Sequence, residues 1–524
     1  MIDKGISAIL FDCSTLLRWN RPVTGIVRAQ LEVAKYLLGC PYKTIFVAFS
    51  PDKQALLQVS KETLQAKIDF FTHYSPTQKP FNPLNPLKRL SAVPSRLKRF
   101  ADAMQQSKIL RFVERIQFKS NQLKSYADGI SSELSPLLLP PIARSTRALF
   151  NKESLFITMG LDWEDSNYAL LYQLKHELKF RVVGFFCDAF ILKNPQWAAS
   201  KEIVASFMLH FYRLSYLCDC IASISEYSKD EFYALLAKHR IAANPDVRVL
   251  HLGNCNKPKE DTTDSVASAN PPNPATPASA APVPALRASA PLPVVTTPTI
   301  TLRRDPISGE LIGDDSPEPP PMLEPKPKES IRHKVSRKNV RAHSSHFVLY
   351  VSTIEPRKNH LLLLDVWQRL AESNLRFPDL VLVGMRGWGA DLFWERFKNE
   401  KLRQHVFWYD NVGDSELQTL YERAQFCVFP SFDEGFGLGA AESLAHGKPV
   451  LVSSSRGLCE ATQNLMPTLD PNAPEIWAEW ILRLSNDAAE LQNLTQKAQQ
   501  FARRSWHDFA HDFIEFALEK KEAE

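Results

Sequence analysis

Two glutamates flank a glycine-rich turn in the segment FPSFDEGFGLGAAESLAHGKPVLVSS, residues 429 to 454. Glu434 stands directly before Gly435, and Glu442 follows eight residues after Glu434. Glycines in such a turn let backbone N–H groups approach a ligand closely, and a helix N-terminus carries partial positive charge that suits a phosphate. The segment therefore predicts a turn that binds an anionic group, with two carboxylates that accept hydrogen bonds from hydroxyls.

A sugar nucleotide would satisfy these features together. Its diphosphate would lie on the helix N-terminus, its ribose on Glu442 and its hexose hydroxyls on Glu434. The predicted donor-binding backbone is that of Gly435, Phe436, Gly437 and Leu438. The structural alternative is that Glu434 is a solvated acid in the turn and Glu442 an acid that caps the helix. This alternative does not explain why a strand, a glycine turn and a helix start occur together here.

The elements that must position this turn alternate between strand and helix. ISAILFDCS and KTIFVAFS read as buried strands around the helical pattern VTGIVRAQLEVAKYLL, and the same alternation resumes from FVLYVST to VLVSS. Such alternation, present twice, predicts an α/β protein with two Rossmann-like, doubly wound parallel-sheet domains. Ligands of such sheets bind beyond the carboxyl ends of the strands, so the two domains should face each other across a cleft.

A proline-rich segment separates the two halves. Seventeen of the 37 prolines lie between Pro258 and Pro327, a composition that predicts an extended, disordered linker over 256–342. A proline-rich motif that recruits a partner is the alternative. The remaining predicted boundaries are an N-terminal acceptor-binding domain over 1–255 with a basic insertion at about 75–150, a nucleotide-sugar-binding domain over 343–475, and a helical segment over 476–524 that crosses back to the N-terminal domain.

Composition excludes several classes of protein. The formal charge of +5 over 524 residues is too small to imply nucleic-acid binding by itself. The eight cysteines are scattered, which is neither a disulfide framework nor a zinc pattern and indicates a reducing cytoplasm. No signal peptide or membrane-spanning run is recognisable, and no cluster of Asp, Glu or His predicts a metal site.

The glycine turn closely resembles the E-x7-E signature of the retaining glycosyltransferases of family 4, which have the GT-B fold. A second block, LYVSTIEPRKNH at residues 349 to 360, resembles the loop that supplies cations to the donor diphosphate in that family. The resemblance implies that Arg357 and Lys358 bind phosphate, a role that suits their charge. A surface loop is the alternative for these two residues.

The N-terminal half resembles the members of the family that build bacterial surface polysaccharides. FDCSTLLRWNRPVTGIVRAQLEVAKYL is similar to their first strand, glycine loop and helix, and GFFCDAFILKNPQW to a stretch that faces the acceptor. Gly25 and Asp12 are therefore expected in the cleft, and Asp188 is expected to face the acceptor hydroxyl. A helix-opening glycine and strand-ending or capping acids are the structural alternatives. The sequence departs from the family pattern at Cys187, where a histidine is common, at Ser352, where glycine is usual, and at Gly439, where proline is usual.

The resemblance implies a retaining hexosyltransferase, with Glu434 and Asp188 in the catalytic site. It would move mannose from GDP-mannose onto a growing polysaccharide, lipopolysaccharide or lipid-linked oligosaccharide, without a metal ion or other cofactor. The alternative is a non-catalytic scaffold of the same fold in a polysaccharide assembly complex.

A basic stretch over residues 87–124 carries ten Lys and Arg against two acids, with apolar residues between them. Such a stretch predicts contact with an anionic membrane surface, which suits a lipid-linked acceptor and a cytoplasmic protein peripheral on the inner face of the membrane. The alternative is a solvated helical insertion. Nucleic acid is not expected, because stacking aromatic residues and a matching fold are missing.

Overall fold

The fold is that of a computed structural model. It describes residues 6–23, 25–50, 54–74, 142–198, 200–255, 303–304, 311–312, 347–373, 375–410 and 412–519. The predicted basic stretch, 87–124, lies outside the described residues, as do most of the predicted linker, 256–342, and all of the predicted insertion except residues 142–150.

The N-terminal domain is built on a seven-stranded sheet in the order β3-β2-β1-β4-β5-β6-β7. Its strands are β1 (Ala8–Asp12), β2 (Thr44–Phe49), β3 (Leu56–Val59), β4 (Ser154–Ile157), β5 (Arg181–Phe186), β6 (Cys220–Ser223) and β7 (Asp246–Val249). All neighbours pair in parallel except β2 and β3. Strand β1 is buried along its whole length, as expected of a central parallel strand that helices cover on both faces.

Helices connect these strands and cover the sheet. They are α1 (Ser14–Arg18), α2 (Gly25–Gly39), α3 (Lys61–Thr72), α4 (Arg144–Arg147), α5 (Asp162–Asp165), α6 (Tyr168–Leu178), α7 (Phe190–Lys193), α8 (Lys201–Leu217) and α9 (Glu226–Lys238). A 3-10 turn, Pro195–Trp197, follows α7. Serine caps start α8 and α9, since Ser200 accepts from the N–H of Ile203 and Ser225 from that of Ser228.

Between the two halves of the chain, β8 (Arg303–Arg304) and β9 (Leu311–Ile312) form a separate antiparallel pair. This pair lies outside the unit that contains the two larger sheets.

The C-terminal domain is built on a six-stranded parallel sheet in the order β12-β11-β10-β13-β14-β15. Its strands are β10 (Phe347–Val351), β11 (Asp379–Val383), β12 (Val406–Tyr409), β13 (Phe426–Phe429), β14 (Val450–Ser453) and β15 (Thr468–Leu469). Its helices are α10 (His360–Glu372), α11 (Asp391–Arg396), α12 (Glu400–Arg403), α13 (Asp414–Arg423), α14 (Leu438–Ala445), α15 (Arg456–Ala461), α16 (Pro474–Asn486) and α17 (Ala488–Gln499). A 3-10 turn, Pro356–Lys358, precedes α10.

The last helix, α18 (Trp506–Leu518), leaves the C-terminal domain and packs along α2 of the N-terminal domain. Its Phe509 and Phe513 meet the ring of Phe185 on β5 at centroid distances of 6.2 and 6.0 Å. Two doubly wound domains thus face each other within one compact unit, and the prediction of an α/β, GT-B architecture is confirmed. In the part of the chain that is described, no helix has the length and apolar character needed to cross a membrane.

Candidate active site

The glycine turn joins β13 to α14 at the carboxyl edge of the C-terminal sheet, facing the N-terminal domain. Gly437 has a φ of +105°, a left-handed conformation that favours glycine, and it directly precedes α14. Gly435 is required for a different reason, because a Cβ there would lie 2.4 Å from the carbonyl oxygen of Cys187 in the other domain. The turn is therefore shaped by close approach between the domains as well as by its own conformation.

Glu434 is buried at the start of this turn and is held by two cations. Arg357 donates to its carboxylate at 2.8 Å, Lys358 donates at 2.6 Å, and the Ser431 hydroxyl donates at 2.7 Å. Burial alone would raise the pKa of Glu434, but the charges of Lys358 and Arg357 outweigh it and lower that pKa to about 2. Glu434 is therefore ionised at every physiological pH.

Arg357 connects the cation loop to both domains. Its Nε lies 2.7 Å from Glu355 as an ion pair, and its NH1 donates to the carbonyl oxygen of Asp433 at 3.1 Å. Its guanidinium also covers the ring of Phe190, at 4.4 Å from the centroid. Burial alone would lower its pKa, but the surrounding carboxylates, Glu434 foremost, raise it, so Arg357 is a fixed positive charge.

Lys358 responds differently to the same surroundings. Burial and the adjacent Arg357 lower its pKa, and Glu434 only partly offsets them. The loop that was expected to bind phosphate therefore places one permanent cation and one destabilised cation on the same carboxylate. A second anion at Lys358 would compete with Glu434 for it.

Asp188 enters the site from the carboxyl end of β5. Its Oδ1 accepts from the backbone N–H of Phe190 at 3.4 Å. Burial raises the pKa of Asp188, the positive charge of Arg357 opposes that rise, and Asp433 and Glu434 add to it. A carboxylate in such surroundings is a better proton acceptor than an exposed aspartate.

The two domains leave little space beside Asp188. The gap that Asp188, Lys193, Tyr227 and Asp433 line encloses about 10 Å³, which is room for about one water molecule. A sugar ring cannot occupy this gap while the domains stay at their present separation.

Glu442 lies farther along, in the second turn of α14, in surroundings unlike those of Glu434. Tyr421 donates to its carboxylate at 3.3 Å. Burial raises the pKa of Glu442 to about 7, although the positive charge of Arg28 on α2 lowers it in part. Arg28 itself pairs across the domain boundary with Asp414 at 2.9 Å.

Gly25 opens α2, three residues before Arg28. Its φ of +54° lies in the left-handed region, and a Cβ there would meet no atom within 4 Å. Gly25 thus lies near Arg28, the residue whose charge lowers the pKa of Glu442. The other predicted site residues, Glu434, Arg357, Lys358 and Asp188, form a second cluster. That these residues bind donor or act in catalysis stays a prediction.

The structure also describes the surroundings of Ser352, Gly439 and Cys187, the three positions where the sequence departs from the family pattern. Ser352 keeps an ordinary backbone conformation and its N–H donates to Val383 at 2.8 Å. A Cβ on Gly439 would lie 2.7 Å from the ring of Phe429. The carbonyl oxygen of Cys187 accepts from the Ser228 hydroxyl of the same domain at 2.6 Å, and it also faces Gly435 of the C-terminal domain, where a Cβ would lie 2.4 Å from it.

Asp12, which was expected in the cleft, is the last residue of β1. It is buried at the end of β1, where the N–H of Ser14 donates to its carboxylate at 2.9 Å. This is a local turn contact, and a role for Asp12 in the cleft stays a prediction.

Sequence reasoning missed a set of contacts that join the first turn of α9 to the C-terminal domain. The carboxylate of Glu460 accepts from the backbone N–H groups of Glu226 and Tyr227 at 2.8 and 3.2 Å, and it lies 2.7 Å from His251 Nε2. Tyr227 donates to Asp433 at 2.8 Å. The only signal was SISEYSKDEF, whose serine resembles an ordinary helix cap.

In the described ranges, no group of three or more His, Cys, Asp and Glu side chains is placed to hold a metal ion. The expectation of a metal-free site stays a prediction.

Comparison with known proteins adds to this geometry. Residues 332–501 match the family model of the glycosyl transferases group 1. A stretch of 164 residues is 34% identical to O-antigen chain mannosyltransferase B of Escherichia coli and covers 31% of this chain and 43% of that protein. A stretch of 105 residues is 33% identical to the serotype-specific mannosyltransferase WbdA of Escherichia coli and covers 20% of this chain and 13% of that protein.

The chain thus spans less than half the length of these curated relatives. Among solved structures, it is similar to sucrose-phosphate synthase from Thermosynechococcus elongatus, with a TM-score of 0.49 and 15% sequence identity over 97% of this chain and 98% of that one.

Proposed function

We propose, from the match of residues 332–501 to the family model of the glycosyl transferases group 1, that this chain is a retaining glycosyltransferase. It transfers a hexose from a nucleotide-sugar donor to a growing polysaccharide or lipid-linked oligosaccharide. One observation carries the proposal: Glu434 lies with Arg357 and Lys358 beside a glycine turn and a helix N-terminus, opposite Asp188 of the other domain.

The donor diphosphate would lie at the N-terminus of α14, where backbone N–H groups and the helix dipole favour negative charge. Lys358 and Arg357 would contribute the remaining positive charge, with Lys358 exchanging Glu434 for phosphate. Glu434, released in part from its cations, would accept hydrogen bonds from the hexose hydroxyls. In this arrangement charge on the leaving diphosphate is stabilised by fixed groups of the protein.

Asp188 would face the hydroxyl of the acceptor from the N-terminal domain. Its raised pKa suits a group that orients the hydroxyl and shares its proton, while the leaving phosphate takes the proton in a front-face transfer. Because the gap beside Asp188 encloses about 10 Å³, the domains would separate to admit substrates and close again for transfer.

Mannose is the hexose that we propose, from GDP-mannose. Support comes from the relatives of this chain, two of which are named mannosyltransferases, one of them for the O-antigen chain. A cytoplasmic location, peripheral on the membrane through the basic stretch 87–124, would bring the enzyme to a lipid-linked acceptor. A non-catalytic scaffold gains no support from the described residues, because the glutamate and both cations are in contact.

A nucleotide screen tests the donor. Binding stabilises the folded state by mass action, so thermal unfolding of the purified chain should shift with one of GDP, UDP, ADP and dTDP, and we expect GDP. The matching sugar nucleotides are then incubated with mannose-containing oligosaccharides, with and without EDTA. Lack of any shift and of any transfer would show the proposed function to be wrong, while loss of transfer on chelation would contradict only the metal-free part.

A further inference from the structure

Three aromatic side chains meet where the two domains face each other. Trp197 lies in the 3-10 turn after α7, Trp388 in the loop after β11, and Phe432 in the loop after β13. The rings of Trp197 and Phe432 stack with centroids 5.7 Å apart and planes inclined by 23°. The indole N–H of Trp388 donates to the carbonyl oxygen of Trp197 at 2.6 Å. These three residues are called the aromatic platform below.

The aromatic platform is exposed to solvent. Trp388 and Phe432 are each 37% exposed, and Trp197 is partly exposed. Single exposed aromatic residues are ordinary on protein surfaces. Here one ring stack and one indole hydrogen bond join three aromatic residues from two domains, and grouped exposed apolar side chains of this kind are found at binding sites.

The platform borders the candidate active site on both domains. Phe432 precedes Asp433 and Glu434 in the chain, and its backbone N–H donates to the carbonyl oxygen of Arg357 at 2.8 Å. Trp197 follows Lys193, whose ammonium lies 3.3 Å from Asp433. A ligand on the platform would therefore lie next to the group that is proposed to hold the hexose.

The aromatic platform and the proposed ribose-binding residue lie at different places along the cleft, which separates an acceptor side from a donor side. The proposed ribose residue, Glu442, lies on α14 and responds to the charge of Arg28 on α2, which begins beyond β1. The platform contacts the loop beyond β5, and β4 lies between β1 and β5 in the sheet. Since neighbouring strands are about 4.8 Å apart, these two positions are separated by about 10 Å, with Glu434 on the platform side.

The chemistry of the platform favours sugar rings over phosphate. A pyranose carries hydroxyls around its rim and exposes C–H groups on one face, and such C–H groups pack on the negative face of an aromatic ring. The nearest cations, Arg357, Lys358 and Lys193, are all paired with carboxylates. The three side chains of the platform carry no charge of their own, so the platform itself offers nothing that attracts a diphosphate.

We propose that the aromatic platform binds the sugar rings of the acceptor glycan that come next to the residue that accepts the hexose. This inference rests on the proposed function, because the direction of the donor defines which side belongs to the acceptor. The ligand class is a short run of neutral hexopyranoses, held by stacking on the aromatic rings.

Kinetics with acceptors of increasing length test the platform. The variants are Trp197→Ala and Trp388→Ala, with Trp197→Phe as the variant that keeps a ring and Tyr172→Ala as a control at an exposed aromatic on α6. The acceptors are α-mannosides of one, two, three and four residues. We expect the alanine variants to raise KM for the trimannoside about tenfold, with kcat and the donor KM within about twofold of the parent.

Trp197→Phe should keep most of the affinity, and Tyr172→Ala should behave as the parent. An equal rise of KM for the monosaccharide and the tetrasaccharide would overturn the platform as a site for neighbouring sugars. A rise confined to the donor KM would overturn it as well, because it would mean that a nucleotide base stacks there.

A binding measurement keeps this inference separable from the proposed function. Saturation-transfer NMR is recorded on the full chain with α-mannotriose, with maltotriose as the glucose counterpart and GDP as the nucleotide probe. Transfer to the sugar C–H protons that is lost in Trp388→Ala supports the platform, even if no sugar nucleotide is turned over. Absence of transfer in the parent, or equal transfer in the variant, overturns the platform even if the chain is an active glycosyltransferase.

Discussion

Glu434 and Glu442 flank one glycine turn, eight residues apart, and yet the surroundings of the two carboxylates are opposite. Glu434 accepts from Arg357, Lys358 and Ser431, and its pKa falls to about 2. Glu442 accepts from the neutral hydroxyl of Tyr421 and its pKa rises to about 7, because burial outweighs the charge of Arg28. A sequence motif that repeats one residue type can thus provide a permanent anion at one position and a titrating group at the other.

The difference follows from the loops that reach each carboxylate. The loop after β10 carries two adjacent cations to Glu434, whereas Glu442 lies within α14, whose neighbour α13 contributes a tyrosine. Glu434 is therefore suited to constant hydrogen-bond acceptance from a sugar. Glu442 is suited to a contact in which its own charge changes with the group that covers its carboxylate.

The largest effect should come from removing the charge of Glu434. In Glu434→Gln we expect kcat/KM for the donor to fall about a thousandfold, the upper range for loss of one preorganised polar contact in an active site. Glu442→Gln is the matched variant, and its smaller loss should appear mainly in the KM for the donor. Turnover of Glu434→Gln within twofold of the parent would remove Glu434 from the catalytic site.

Stability of the folded chain should also report the low pKa of Glu434. A carboxylate whose folded pKa lies below its unfolded value stabilises the fold above the unfolded pKa, and this contribution is lost as pH falls through the folded pKa. Between the ordinary value of 4.5 and about 2, this amounts to about 3 kcal/mol. Urea unfolding of the parent and Glu434→Gln should show the parent more stable by about that amount at pH 6, with the gap narrowing from pH 4.5 to 3. A gap that does not depend on pH would mean that Glu434 is not held by its cations.

Glu442 should produce the opposite slope in a different range of pH. Its folded pKa of about 7 lies above the ordinary 4.5, so the folded state binds the proton more tightly and stability falls as pH rises from 4.5 to about 7. The loss approaches about 3 kcal/mol at the upper end of this range. Glu442→Gln should be free of this slope, so it should equal the parent near pH 4.5 and exceed it in stability near pH 7.5. Parallel profiles for the two proteins would show that Glu442 is solvated in the folded state.

Much of the fold could be predicted from hydrophobic patterns alone. Continuous apolar runs such as ILF in β1 and FVLYV in β10 are typical of parallel strands buried on both faces, and the structure has them there. Strands β3, β12 and the two-residue β15 were not predicted. LLQV is a short antiparallel segment at the edge of its sheet, and VFWY is a four-residue strand with two partly exposed positions, so neither shows a long buried run.

The site was predictable only within single loops. Glu434, Arg357 and Lys358 were recognisable from their motifs, but their mutual contacts join residues 76 and 77 positions apart and depend on the β10–β13 pairing. Contacts between domains were harder still. Glu460 reaches the N–H of Glu226 across 234 positions, and nothing local distinguishes an acid that caps a helix of another domain from one that caps its own.

The smallest effect on stability is expected from replacing Arg28, the residue of the N-terminal domain whose charge acts on Glu442. Arg28 pairs with Asp414 at 2.9 Å and with Glu32 at 3.2 Å, and its charge lowers the pKa of Glu442. In Arg28→Gln the pKa of Glu442 should therefore rise by about one unit above its present value, while unfolding free energy falls by about 1 kcal/mol or less because Asp414 is exposed. Carbon-detected NMR titration of the Glu442 carboxyl measures the shift directly. Arg456→Gln is the control, since it removes a different ion pair between the domains, the exposed pair with Asp230 at 2.7 Å, and it should leave the titration of Glu442 unchanged. An equal shift in both variants would mean that general loosening of the domains, and not the charge of Arg28, sets the protonation of Glu442.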